Sequence, residues 1–359
     1  MHLTKLQDDK SLRETYKEFL TLTLEESANG DKLFSKDRLL CIRHIANIEG
    51  LALQIGNSQD DCFEVKAGRL VEVNKIGKQI IRILSPYFNR FDDYLMNSLV
   101  NFQVSPNAMV LMEEFNKIEA RRLVEFRSIR PDAVCDRLNE AVSAIREKIN
   151  TPEFRKQMHN FRRSSDKNLK SFRLYIEKCF EIYSRLLVLR IDLYYKLGTF
   201  AEKSLDDSFK IAQQHWQKWI RRFKNKMDKA YVGYVKILEY GYQKSLHFHV
   251  LLLLDGSLVR QDITIATLAG KDWSDVVTQG AGRSHNCHLK KEYYRRLGIG
   301  MIHANDKDAQ AALNDIMAYM IKIDYFIKLV TPDGSRVFSK GDMPRAKLKS
   351  GRPRRTSVT

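Results

Sequence analysis

Residues 231–255 read YVGYVKILEYGYQKSLHFHVLLLLD, two β-rich runs separated by the turn GYQK at 241–244. Runs so closely spaced pair as an antiparallel hairpin. Along a strand, residues two apart point the same way, about 7 Å from each other. His247 and His249 therefore share one face, while Phe248 and Val250 share the other. Glu239 closes the first run, and the short turn delivers its carboxylate beside the two imidazoles. Two nitrogens and one oxygen can hold a metal ion and leave positions open for water and a phosphate oxygen. Mixed N/O ligation with a phosphate substrate suits Mg²⁺ or Mn²⁺, with Zn²⁺ a further option. The imidazoles ligate only when neutral, so activity is expected to fall in acid.

Outward from the hairpin the β texture recurs. RLLVLRIDLYY (185–195) sets Leu187, Leu189, Ile191 and Leu193 on one face and Arg190, Asp192 and Tyr194 on the other. A basic helix follows from about Asp207 to Lys229, holding Trp216 and Trp219. DITIATLAGKDWSDVVTQ reads as a helix, GIGMIHA as a short strand, and DAQAALNDIMAYMIKIDYFIKL as a long helix. Hairpin-paired strands with interspersed helices predict an α+β fold, an antiparallel sheet flanked by helices.

Up to about residue 180 the pattern is helical throughout, with apolar residues three and four apart. Pro106, Pro131 and Pro152 stand where helices should begin. Ser165 is the expected N-cap of a last helix with the stripe Leu169, Phe172, Ile176, Cys179 and Tyr183. GNSQDD (56–61) and Ser164–Lys167 read as loops. The expected organisation is an all-helical accessory, DNA-binding or oligomerisation region (1–180), a domain carrying the histidines (181–345) and a basic disordered tail (346–359).

Net charge is +17 and the isoelectric point about 9.5, a surplus that points to a polyanionic partner. Five scattered cysteines without a CxxC pair argue against a disulfide framework and a zinc ribbon. No basic segment followed by an apolar one marks a signal peptide, and no apolar run spans a bilayer. A cytoplasmic protein without membrane partners is expected. His285, Cys287 and His288 form a second cluster of ligand types, but lack a paired metal spacing and read as structural.

The helix around AYMIKIDYF has its apolar stripe at Leu313, Ile316, Met320, Ile323 and Ile327, with Tyr319 at the edge and Lys322 three residues on. A phenol becomes a nucleophile once its proton leaves, and a neighbouring ammonium favours the phenolate. Tyr325 is the rival, roughly 120° round the helix. Arg190, with Arg221, Arg222 and Lys224 of the basic helix and Arg352 and Arg354 of the tail, are the expected DNA contacts.

Glu239, His247-Phe248-His249 and Tyr319-Met-Ile-Lys322, in that order, resemble the HUH endonucleases of the rolling-circle initiator type. With VLRIDLYY, HFHVLLLLDG, GRSHNCH, LGIG and SRVFSKG, the chain from about 185 to 345 is similar to the filamentous-phage (inovirus) gene-two-type family, also called the YagK/YfjJ-type C-terminal domain. The loop before Asn286-Cys287 carries Ser284-His285 where that family has an aromatic pair. IDYF follows Lys322 where the family more often has a polar Asp-Gln. The resemblance implies an HUH/Rep nuclease-like fold and a divalent ion on His247, His249 and Glu239. It also implies attack by Tyr319 on single-stranded DNA at a replication origin, with a host helicase and polymerase as partners. A transposase- or relaxase-like nickase and a non-catalytic DNA-binding regulator remain the rival readings.

Overall fold

The computed structural model describes residues 36–84, 102–125, 127, 130–241, 245–294, 296–322, 327–331 and 336–344. The chain forms two compact units. One comprises residues 1–166 with 321–330, the other 167–320 with 331–359.

In the first unit, helices α1 (Lys36–Gly56), α2 (Lys75–Leu84), α3 (Pro106–Lys117), α4 (Ala120–Glu125), α5 (Pro131–Ile149) and the first half of α6 (Pro152–Ile182) dominate. Each of the three prolines opens its helix as expected, and Ser105 caps α3 by accepting from the Ala108 amide. Ile48, Leu51 and Ile55 of α1 meet Leu111 and Phe115 of α3 and Leu138, Val142 and Ile145 of α5 in one apolar core.

This unit is not all-helical. Phe63–Lys66 (β1) and Arg69–Glu72 (β2) pair antiparallel. Ala67 and Gly68 between them have φ of 48° and 68°, the two positive values that a tight hairpin turn with the strands' own twist demands. The helical reading of AGRLVEV missed that turn. Asn139 of α5 then fixes β1, accepting from the Cys62 and Phe63 amides and donating to the Phe63 carbonyl.

Two further expectations are corrected. Ser165 is buried inside an unbroken α6 rather than capping a new helix, and Ser164–Lys167 is helical rather than a loop. The long helix does not continue to Leu329. It ends as α9 (Lys307–Lys322), and Ile327–Leu329 is a strand, β9, paired with Phe102–Val104 (β3). The backbone register sets Ile327 opposite Val104 and Leu329 opposite Phe102, so strand pairing outweighs a helical pattern carried by β-branched and aromatic residues.

The second unit is built on an antiparallel sheet in the order β10-β5-β6-β4-β7, with β8 also on β4. Its strands are β4 (Arg185–Tyr195), β5 (Tyr231–Gly241), β6 (Ser245–Asp255), β7 (Gly282–Asn286), β8 (Gly300–His303) and β10 (Phe338–Lys340). The second unit thus bears out the α+β reading. Leu193, Phe248, Lys236 and Leu238 face one side, where α7 (Leu205–Met227), α8 (Asp262–Lys271) and the π-helical turn Asp272–Val277 pack. Trp216 and Trp273 lie 5.6 and 5.8 Å from the Phe248 ring, and the Trp219 indole donates to the Ala269 carbonyl. On the other side the α6 stripe residues Phe172, Ile176 and Cys179 are buried, and the Tyr175 ring presses against Gly233. A Cβ there would lie 1.9 Å from the Tyr175 hydroxyl oxygen, so only glycine fits. No helix among the described residues is long and apolar enough to cross a membrane.

Candidate metal centre

Register places the candidate ligands. Glu239 of β5 stands opposite His247 of β6, Asp192 of β4 stands opposite His249, and antiparallel partners share a face. Glu239, His247 and His249 are all buried, and one donor atom from each lies within 4.8 Å of the others. The Glu239 Oε2 is 3.0 Å from His247 Nε2 and 3.4 Å from His249 Nε2. An ion about 2.1 Å from each donor, at angles between octahedral and tetrahedral, requires edges of roughly 3.0–3.4 Å. The two edges to Glu239 Oε2 fall in that range and all three donors lie within 4.8 Å of one another, so the set could hold a divalent ion.

Sequence reasoning placed Asp192 on the right face but gave it no role. The structure assigns one, since His249 Nδ1–H donates to Asp192 Oδ1 at 2.7 Å. That bond fixes the ring so that Nε2 turns to Glu239, the arrangement by which a carboxylate orients a metal-ligating histidine. The sequence's cue was only that Asp192 interrupts an apolar run; its place opposite His249 comes from the β4–β6 register.

Without an ion the charges balance differently. Burial disfavours an imidazolium at His249, but the Asp192 and Glu239 carboxylates outweigh it and raise the group to about 9. Burial would also raise both carboxyls. The histidine charge instead holds Glu239 well below the usual range, and His249 with Arg190 does the same for Asp192. A proton on His249 thus occupies the electrostatic place of a cation.

Of the second cluster of ligand types, His288 is held structurally. His288 is fully buried, its Nδ1–H donating to Asp262 Oδ2 at 3.0 Å and its Nε2 accepting the Arg190 amide at 3.0 Å. Burial holds its pKa below the ordinary value, which suits an accepting nitrogen. Cys287 Sγ lies 3.9 Å from Asp192 Oδ2. His285 stands opposite Asp192 on β7, a strand not anticipated.

Tyr319 sits on α9, half-buried, with the Arg190 guanidinium carbon 5.2 Å from its ring centroid. Arg190 and Asp192 are thus brought together with the histidine cluster and the tyrosine. Lys322 is the last residue of α9; its side chain, like Tyr325, Arg352, Arg354 and the rest of the tail, lies outside the described residues. Arg221, Arg222 and Lys224 are not brought to the cluster. Their helix α7 packs on the opposite face of the sheet, and Arg222 forms a two-pronged pair with Asp272 at 2.6–3.1 Å. Lys224 stands over the Tyr231 ring at 5.9 Å.

No curated protein and no solved structure matches the chain. One family does, the YagK/YfjJ C-terminal domain, over residues 148–338. That span exceeds half the chain and holds Arg190, Asp192, Glu239, both histidines and Tyr319, and by it the chain belongs to the YagK/YfjJ C-terminal domain family.

Proposed function

We propose that the chain is a metal-dependent DNA-nicking enzyme of the HUH endonuclease type, acting as a rolling-circle replication initiator of the filamentous-phage kind. The observation that supports it most is the convergence of Glu239, His247 and His249 on the sheet face that also carries Arg190 beneath Tyr319. A divalent ion held by the three would draw electron density from a phosphodiester oxygen. The Tyr319 oxygen forms a bond to phosphorus, the phosphorus–O3′ bond breaks, and the phenolic proton ends on the departing 3′ oxygen or on solvent. A 5′-phosphotyrosine and a free 3′-hydroxyl result. The covalent link stores the energy of the broken bond, so rejoining needs no nucleotide cofactor. Asp192 and burial keep His249 aimed throughout.

The test incubates labelled single-stranded DNA with protein and Mn²⁺. An adduct surviving denaturation is expected, lost in Tyr319→Phe and in His247→Ala, the latter with DNA binding kept. An adduct that persists in Tyr319→Phe and disappears in Tyr325→Phe would move the nucleophile. Absence of any adduct or cleavage across divalent ions and varied substrates would favour a non-catalytic DNA-binding regulator. Dependence on a substrate hairpin would favour a transposase- or relaxase-like nickase.

A further inference from the structure

We propose that Arg190 is the phosphate-gripping cation of this site, binding a non-bridging oxygen of a DNA phosphodiester laid between Tyr319 and the Glu239, His247, His249 cluster. The inference rests on the nicking reading and gives it a residue that the histidines and tyrosine do not supply.

Arg190 is more than nine-tenths buried, yet its Nε has no hydrogen-bond partner among the described residues. The nearest carboxylate, Asp192, is 4.0 Å from Nη2, beyond hydrogen-bonding distance, and is already engaged by His249 at 2.7 Å. A guanidinium N–H buried without an acceptor is costly. The planar fork matches the oxygens of a phosphate or a carboxylate, and of these a DNA strand supplies the phosphate.

The placement is specific. Alternation along β4 puts Arg190 on the face of Asp192 and His249. Its guanidinium lies over the Tyr319 ring, so an oxygen bound there would be attached to a phosphorus within reach of the phenol. The backbone under it is held by the Arg190 amide to His288, by His288 to Asp262, and by Lys291 to Asp262 at 2.6 Å. Lysine at 190 would keep the charge and lose the fork, so Arg190→Lys and Arg190→Gln should differ.

The direct measurement uses protein labelled with ¹⁵N at arginine Nε, the Arg190 signal being assigned by its loss in Arg190→Lys. With Mg²⁺ and a twelve-nucleotide thymidine oligomer, that signal should shift and its hydrogen exchange with water should slow. The same oligomer with uncharged methylphosphonate linkages should leave it unmoved. An Arg190 signal that stays put while the other arginine signals respond to the oligomer, or no response from any of them, overturns the proposal. A second measurement is single-turnover nicking. Arg190→Gln should lose about 100-fold, the scale of one removed transition-state donor, with Arg190→Lys between it and wild type. Thermal unfolding checks that the variants fold. Nicking by Arg190→Gln at the wild-type rate also overturns the proposal. Absence of nicking in the wild type instead sinks the nicking reading, and the labelled-arginine titration still decides whether Arg190 binds phosphate.

Discussion

His249 is the residue on which the proposed metal centre turns. In the ion-free protein it carries a proton at neutral pH, held by Asp192 and Glu239, and a metal ion must displace that proton to bind. Mn²⁺ titrated calorimetrically at pH 7 in buffers of different ionisation enthalpy should therefore release about one proton per ion from this site. A release near zero would mean that His249 is already neutral. The sign for folding follows from the same shift. A histidine whose pKa rises to about 9 stabilises the ion-free fold fully below its ordinary value of 6.5, and that contribution fades as pH climbs toward 9. Asp192→Asn keeps the shape but replaces an accepting charge with a neutral amide. It should weaken Mn²⁺ binding about 10- to 100-fold, the usual effect of losing a partner behind a ligating histidine. An unchanged affinity would leave Asp192 a packing residue. The clustering of Glu239, His247 and His249 was legible from the sequence because two-residue spacing and a short turn are local facts. Asp192, 57 residues away in the chain, becomes a partner only through the β4–β6 register, which no local pattern states.

At the scale of elements, legibility follows the same division. β4, β5, β6, α7 and α9 declare themselves through length and periodicity, whereas β3, β7, β9 and β10 span three to five residues and exist through partners remote in sequence. The back of the sheet holds an unexpected strain on stability. Lys236 of β5 is buried between Trp216 and Phe248, 5.3 Å from each ring centroid, with Gln213 accepting from Nζ at 3.3 Å. Burial pulls its pKa from 10.5 down to about 8. A lysine so depressed opposes folding when charged, so stability should rise as pH passes from about 8 to 10.5 and fall back below that window. Chemical denaturation across that range should show the rise in wild type and its absence in Lys236→Met. At pH 7 that variant should be up to about 3 kcal/mol more stable, before any loss of cation–π contact.

For the molecule as a whole, charge and discontinuity matter most. With a surplus of 17 positive charges, single-stranded DNA binding on the proposed reading should weaken steeply with salt. Each phosphate contact contributes a slope of about −0.7 in log K against log salt, so four to six contacts give roughly −3 to −4. Fluorescence anisotropy with a labelled oligomer between low and physiological salt measures it. A slope near zero would argue that the basic surface serves another partner.

The pairing of Phe102–Val104 with Ile327–Leu329 bears on how the protein is made. A ribosome delivers β3 more than two hundred residues before its partner strand β9. Until residue 329 has left the exit tunnel, β3 presents an open edge, the kind of surface that recruits unrelated strands. Pairing of β3 thus waits on synthesis of β9, while the apolar core of Ile45 to Met158 does not. A ribosome-stalled chain ending before residue 327 should show β3 amides exchanging freely with water, and one long enough to free residue 329 from the tunnel should protect them.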